Sequence, residues 1–123
     1  MVYADAQAGG TVYALAAAIS ITLAGTVSKG DLIGYNSGWV RADGDAHYHA
    51  RMVALESGVT GDVIKAAIAA EVGGRLSGMT EGNPLYAGTA AGKYQEAAST
   101  AAEVVGYAIT ATEALIMPVK TEA

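Results

Sequence analysis

Ile19-Ser20-Ile21-Thr22-Leu23-Ala24 alternates apolar with small or polar residues, and Gly25 ends the alternation. That is the period-2 signature of a strand with one buried face. The chain then runs Thr26-Val27, turns at Ser28-Lys29-Gly30-Asp31, and continues as Leu32-Ile33-Gly34-Tyr35. Asn36-Ser37-Gly38 is a tight turn, and Trp39-Val40-Arg41 resumes the strand pattern. Strand-length apolar pieces punctuated by Gly, Asn, Asp and Ser read as hairpins.

The same rhythm extends outward. Asp43-Gly44-Asp45 is a turn, Arg51 to Leu55 a strand, and Gly58 to Asp62 a turn. Val63 to Ala70 reads as one further strand. Over Val63 to Val72 the alanines and Glu71 also favour helix, but closely flanking turn residues decide for strand. Eight or more short strands between glycine turns predict an all-β fold, a small glycine-turn-rich β-barrel or sandwich. Pro84 and Pro118 belong at a strand start or a sheet edge, because proline cannot donate to a ladder.

A weak internal duplication relates about 30–70 to about 82–120. Gly30-Asp31-Leu32-Ile33 recurs as Gly82-Asn83-Pro84-Leu85, with glycine turns following at Gly38 and Gly92. Trp39-Val40 then matches Lys93-Tyr94, and Val53-Ala54-Leu55 matches Tyr107-Ala108-Ile109. Each unit closes on an apolar strand, at Asp62-Val63-Ile64 and at Ala114-Leu115-Ile116. Residues 1–18 differ from the rest. They are Ala-rich, carry Gly9-Gly10, and offer Tyr3 and Tyr13 as their only large anchors. They read as an N-terminal arm that orders on a partner, ahead of a single β domain at 19–123. A hairpin turning at Gly9-Gly10 is the alternative, and Ala14 to Ala18 has the composition for one helical turn.

With 123 residues the chain holds one domain. It has no cysteine, hence no disulfide, thiol nucleophile or Cys-based zinc site. A net charge of −5 and scattered cations argue against nucleic-acid binding. The longest apolar stretch, Val12 to Ala24, is too short to span a membrane. Asp5 and the lack of Lys or Arg before it argue against a signal peptide. Phe is absent, Trp39 is the sole tryptophan, and alanine fills much of the apolar total. Small side chains bury little area each, so subunit contacts are a natural supplement to stability.

No catalytic, cofactor-binding or metal-binding residue is expected. His47-Tyr48-His49 puts two imidazoles on one side of a strand, but two ligands do not complete a tetrahedral site. Asp43-Gly44-Asp45 lacks the ligand spacing of a calcium loop. Gly73-Gly74-Arg75-Leu76-Ser77-Gly78 lacks the lysine of a phosphate loop. No nucleophile elbow is present. Trp39 reads as a core residue packed across its hairpin or as an interface anchor.

Two longer phrases point to a family. One is Thr26-Val27-Ser28-Lys29-Gly30-Asp31-Leu32-Ile33-Gly34. The other runs from Leu76-Ser77-Gly78 through Gly82-Asn83-Pro84-Leu85-Tyr86, Val105-Gly106-Tyr107-Ala108-Ile109 and Ala114-Leu115-Ile116-Met117-Pro118. Together they resemble small bacteriophage head-decoration, or capsid cement, proteins over about residues 20–120. The resemblance implies a β-rich homotrimer on the outer capsid surface of a virion, with the major capsid protein as partner and no active site. No cofactor, nucleic-acid or membrane partner is expected. Tyr3 and Tyr13 of the arm, which lies outside the matched phrases, and Trp39 are the expected interaction residues, by residue type. Rival classes are a tail-fibre or receptor- or carbohydrate-binding module, and a small β-barrel hydrolase.

Overall fold

A computed structural model describes residues 11–15, 18–42, 50–88, 91–96 and 104–118. The described chain is all-β, built from two antiparallel sheets. Its strands are β1 (Thr11–Ala14), β2 (Ala18–Thr22), β3 (Leu32–Tyr35), β4 (Trp39–Arg41), β5 (Met52–Ala54) and β6 (Val63–Ala67). They continue with β7 (Ala70–Gly73), β8 (Pro84–Ala87), β9 (Tyr94–Gln95), β10 (Val104–Ala108) and β11 (Glu113–Ile116). One sheet has the order β2-β6-β5-β3-β4, the other β1-β7-β11-β10-β8-β9.

The five-stranded sheet curls on itself. Leu23, just past β2, forms a parallel bridge with Trp39 of β4, and the Ala24 N–H donates to Trp39 O at 2.9 Å. The two edges of the sheet thus meet. The curl encloses Ile21, Leu23, Val27, Ile33, Met52, Ala54, Ile64 and Ala66, with Trp39 half-buried against them. The back of the same sheet, through Leu32 and Val53, packs on the inner face of the six-stranded sheet. Leu32-Ile33 and Met52-Val53-Ala54 are therefore unbroken apolar runs, because both of their faces are covered.

Val63 to Ala70 is not one strand. β6 lies in one sheet and β7 in the other, with Ile68 and Ala69 between them. The register explains the switch. Tyr13 pairs with Glu71 and Ala14 with Ala70, whereas Ala18 pairs with Ala67 and Ile19 with Ala66. Four steps on the β1–β2 side oppose three on the β7–β6 side. One extra residue in one strand bends and twists a two-stranded ribbon, and this ribbon bends from one sheet into the other. Within residues 1–18, Thr11–Ala14 is thus a sheet strand and Ala18 begins β2. Residues 1–10, Tyr3 among them, lie outside the described residues, as do 16–17 and 43–49.

The two sheets share one order of connections, β6-β5-β3-β4 and β11-β10-β8-β9. Each four-strand unit opens on a turn with glycine at positive φ, Gly30 at 92° and Gly82 at 87°. Such a turn needs φ > 0 at its third position. The Gly30 N–H donates to Ala54 O and the Gly82 N–H to Ala108 O, both at 2.8 Å. The Ala54 N–H returns to Asp31 O at 2.9 Å, and the Ala108 N–H to Asn83 O at 3.0 Å. Strand register then equates Met52 with Gly106, Val53 with Tyr107, Ala67 with Leu115, and Arg41 with Glu96. Trp39 falls at the position of Tyr94, one residue on from the Lys93 that sequence matching sets against it.

Candidate functional site

Two places concentrate unusual chemistry. The first is a charge cluster where the Ser28–Asp31 turn meets the six-stranded sheet. The Asp31 side chain is fully buried, and so is that of Arg75, which follows β7. Arg75 Nη2 donates to Asp31 Oδ1 at 2.6 Å and Arg41 Nε to Oδ2 at 2.8 Å. The Ser28 N–H also donates to Oδ2, at 2.8 Å. Arg75 donates further to Lys29 O at 3.2 Å and Gly92 O at 3.3 Å. Its guanidinium carbon lies 5.2 Å from the Tyr94 ring centroid, within reach of the attraction between a cation and an aromatic face. The Tyr94 hydroxyl donates to Gly30 O.

A buried carboxylate demands pairing and hydrogen bonds, and this one receives both. Two arginines and a backbone amide occupy both of its oxygens, so the carboxylate is committed to contacts within the fold. The cluster joins the two units. Sequence reading passed over it. The available signal was Arg75, a lone cation between Gly73-Gly74 and Leu76 in a stretch that otherwise reads as turn and core.

The equivalent turn in the second unit is built differently. Asn83 replaces Asp31, and the carboxylate comes from Glu96. The Thr80 N–H and Asn83 Nδ2 both donate to Glu96 Oε2 at 3.0 Å. The Thr80 backbone bond, followed in size by an opposing effect of burial and then by the Asn83 bond, holds the Glu96 carboxyl below the usual carboxylate range.

The second place is the outer face of the six-stranded sheet. Tyr107 pairs with Leu115 on one side and Pro84 on the other. Val104, Val105, Gly106, Tyr107, Leu115 and Met117 line a groove of about 270 Å³. Gly106 is required there: a Cβ on it would stand 2.0 Å from Leu115 O. The ladder to β8 shifts register between Val104 and Gly106, both of which line the groove. Tyr107 and Met117 are 52% and 53% exposed. The lining offers no carboxylate, imidazole or ammonium, so it is equipped for apolar contact and not for acid–base chemistry.

Of the residues expected at interfaces, the two that are described, Tyr13 and Trp39, lie in different sheets. Tyr13 takes its place in β1 opposite Glu71, on the far side of the six-stranded sheet from β9. Trp39 sits at the seam of the curl, with Tyr35 edge-on at 4.9 Å between ring centroids. Asp43, Asp45, His47 and His49 lie, with Tyr3, outside the described residues. Among the described residues no group of three or more His, Asp or Glu is placed to hold a metal. Nor is any helix there long and apolar enough to cross a membrane. No protein-family model, curated protein or solved structure matches this chain.

Proposed function

We propose that this chain is a non-enzymatic structural subunit that attaches, as a homotrimer, to the outside of a viral capsid and stabilises it. One observation carries the reading. Leu32, Val53 and Ala67, on the back of the first unit, are each 0% exposed, and Leu32 and Val53 pack in one core with residues of the second unit. The equivalent positions in the second unit are Pro84, Tyr107 and Leu115, and nothing among the described residues covers Tyr107. Two of the three positions thus carry the larger side chain in the second unit, Tyr107 against Val53 and Leu115 against Ala67. A face of packing character left open is the mark of an assembly surface. Repeated weak contacts of this kind suit a protein that occupies many equivalent sites at once.

Tyr35, exposed beside Trp39 on the β3–β4 hairpin, favours a second reading as a receptor- or carbohydrate-binding module. One pair of experiments separates the two. Purified capsids should pull the wild-type chain down on sedimentation, and Tyr107→Glu should weaken that capture at least tenfold. A reproducible glycan-array hit lost in Tyr35→Ala, with no capsid capture, would favour the second reading instead.

A further inference from the structure

We propose that Asn36 is a site of spontaneous covalent change: it loses its side-chain amide through a cyclic imide formed with Ser37, and so loosens the seam of the curled sheet as the protein ages. The inference is independent of what the molecule attaches to and rests on the β3–β4 hairpin.

The register fixes the shape of that hairpin. Tyr35 pairs with Trp39, and the Asn36 N–H donates to Gly38 O at 2.9 Å. Ser37 alone therefore turns the corner, where hairpins most often use two residues. It does so at φ 58°, and it is the one described residue other than glycine at positive φ. Gly38 beside it is wedged against the end of β2: a Cβ on it would stand 2.5 Å from the Ala24 Cβ.

The chain holds two asparagines, Asn36 and Asn83. Cyclisation needs a side-chain amide free to swing and, on the next residue, a backbone nitrogen that carries a hydrogen. Asn36 and Ser37 are both exposed. Among the described residues the Ser37 N–H donates to no acceptor, since Asn36 makes the ladder bond at the tip. The small side chain of Ser37 leaves its nitrogen accessible. Asn83 lacks both requirements. Its Nδ2 donates to Glu96 Oε2 at 3.0 Å, and the next residue is Pro84, whose nitrogen carries no hydrogen.

The step balances with water alone. The Ser37 nitrogen, giving up its proton, attacks Asn36 Cγ. The Cγ–Nδ2 bond breaks, and ammonia leaves with that proton as the imide ring closes. Water then opens the ring at either carbonyl. One opening gives aspartate. The other gives isoaspartate, in which the main chain runs through the former side chain and is one carbon longer. Both products add a negative charge to the tip. A corner of one residue has no slack for the extra carbon. Behind it, Tyr35 lies edge-on to Trp39 with ring centroids 4.9 Å apart. The Trp39 carbonyl accepts the Ala24 N–H at 2.9 Å, the bond that closes the seam. A longer tip draws Trp39 out of register with both.

The test ages the full chain in mildly alkaline buffer. It follows released ammonia, isoaspartate by peptide mapping, and the emission of Trp39, the sole tryptophan. Product should collect at Asn36 and not at Asn83, faster as pH rises. Trp39 emission should move to longer wavelength in step with it. Asn36→Gln should show neither change, because its larger ring closes far more slowly. Ser37→Gly should hasten the loss several-fold and also raise the melting temperature of fresh protein, since glycine accepts positive φ without strain. Asn36 left intact in the folded chain, while the same chain in urea collects product there, would overturn the proposal. Equal product at Asn83 would overturn it too. Product at Asn36 with unchanged Trp39 emission would overturn the loosening of the seam. These readouts on the wild type decide the matter even where a variant does not fold.

Discussion

The first unit buries its charge fully and covers its back; the second holds its charge half-buried and leaves its back open. In the first, Asp31 is buried and held by Arg41 and Arg75. In the second, neutral Asn83 stands at the Asp31 position and Glu96 at the Arg41 position. Both arrangements hold an N–H at the head of the same turn, from Ser28 and from Thr80. One geometry is therefore satisfied by two chemistries, chosen by burial. A carboxylate fully out of water requires cations beside it, while the half-buried Glu96 has two neutral donors on one of its oxygens. The difference teaches that the interior contact between units is fixed by charge, whereas the open back is fitted for apolar partners.

Arg75→Met should break the comparison most severely. It leaves the Asp31 carboxylate buried with only Arg41 and one amide, a change that costs about 3–5 kcal/mol when a buried pair loses a partner. Urea unfolding at neutral pH would show it. A loss under about 1 kcal/mol would mean that the site hydrates freely. Asp31→Asn combined with Arg75→Met should cost less than the sum of the two single changes, because the residues share one network.

Gly106→Ala should come next, at about 1–3 kcal/mol, typical of forcing atoms into a packed site. Met52 holds the same position in the first unit without strain, inside the curl. The contrast isolates the close approach of β11 to β10. Thermal unfolding of the variant against wild type measures it.

Tyr94→Phe removes a buried hydroxyl donor from Gly30 O and keeps the ring beneath Arg75. A loss of about 1 kcal/mol is expected, the usual net value of one such bond. Trp39→Phe, at the equivalent position, removes no bond of this kind and reports ring packing alone.

The smallest effect belongs to Glu96. Its carboxyl titrates below the usual range when folded, so its contribution is present above the ordinary carboxylate pKa. That contribution is lost as pH falls through the lower folded value. Glu96→Gln should therefore flatten the acid limb of the stability profile and change neutral-pH stability by only about 0.5 kcal/mol, as for a weakly screened pair of neutral donors on one oxygen. An unchanged acid limb would show that the turn is held without this charge.

Much of the architecture was legible in the sequence. Ile21 and Leu23 alternate with Thr22 because they line the curl, while Ile19 stays half exposed, and glycines such as Gly30 and Gly82 mark a positive φ that side chains resist. The break between β6 and β7 was not legible. Nothing local in Ala66-Ala67-Ile68-Ala69 forces a bend; the cause is a one-residue mismatch with a partner strand some fifty residues earlier in the chain. The charge cluster was hidden for the same reason, since Asp31 and Arg75 lie 44 positions apart. Asp31 in its turn resembles any other turn aspartate. Trp39 and Tyr13 were singled out by residue type, which does not reveal where a sheet will leave its back uncovered. Tyr107 was quoted only within a strand phrase, because its exposure depends on the stacking of the two units.

Heat resistance of capsids, measured with and without added protein, tests the central proposal most directly. If the chain cements a shell, purified capsids should retain their contents to a higher temperature as it is added. The gain should saturate when a multiple of three copies occupies each site, and Tyr107→Glu should abolish it. Capsids that release their contents at the same temperature whether bare or saturated would contradict the account.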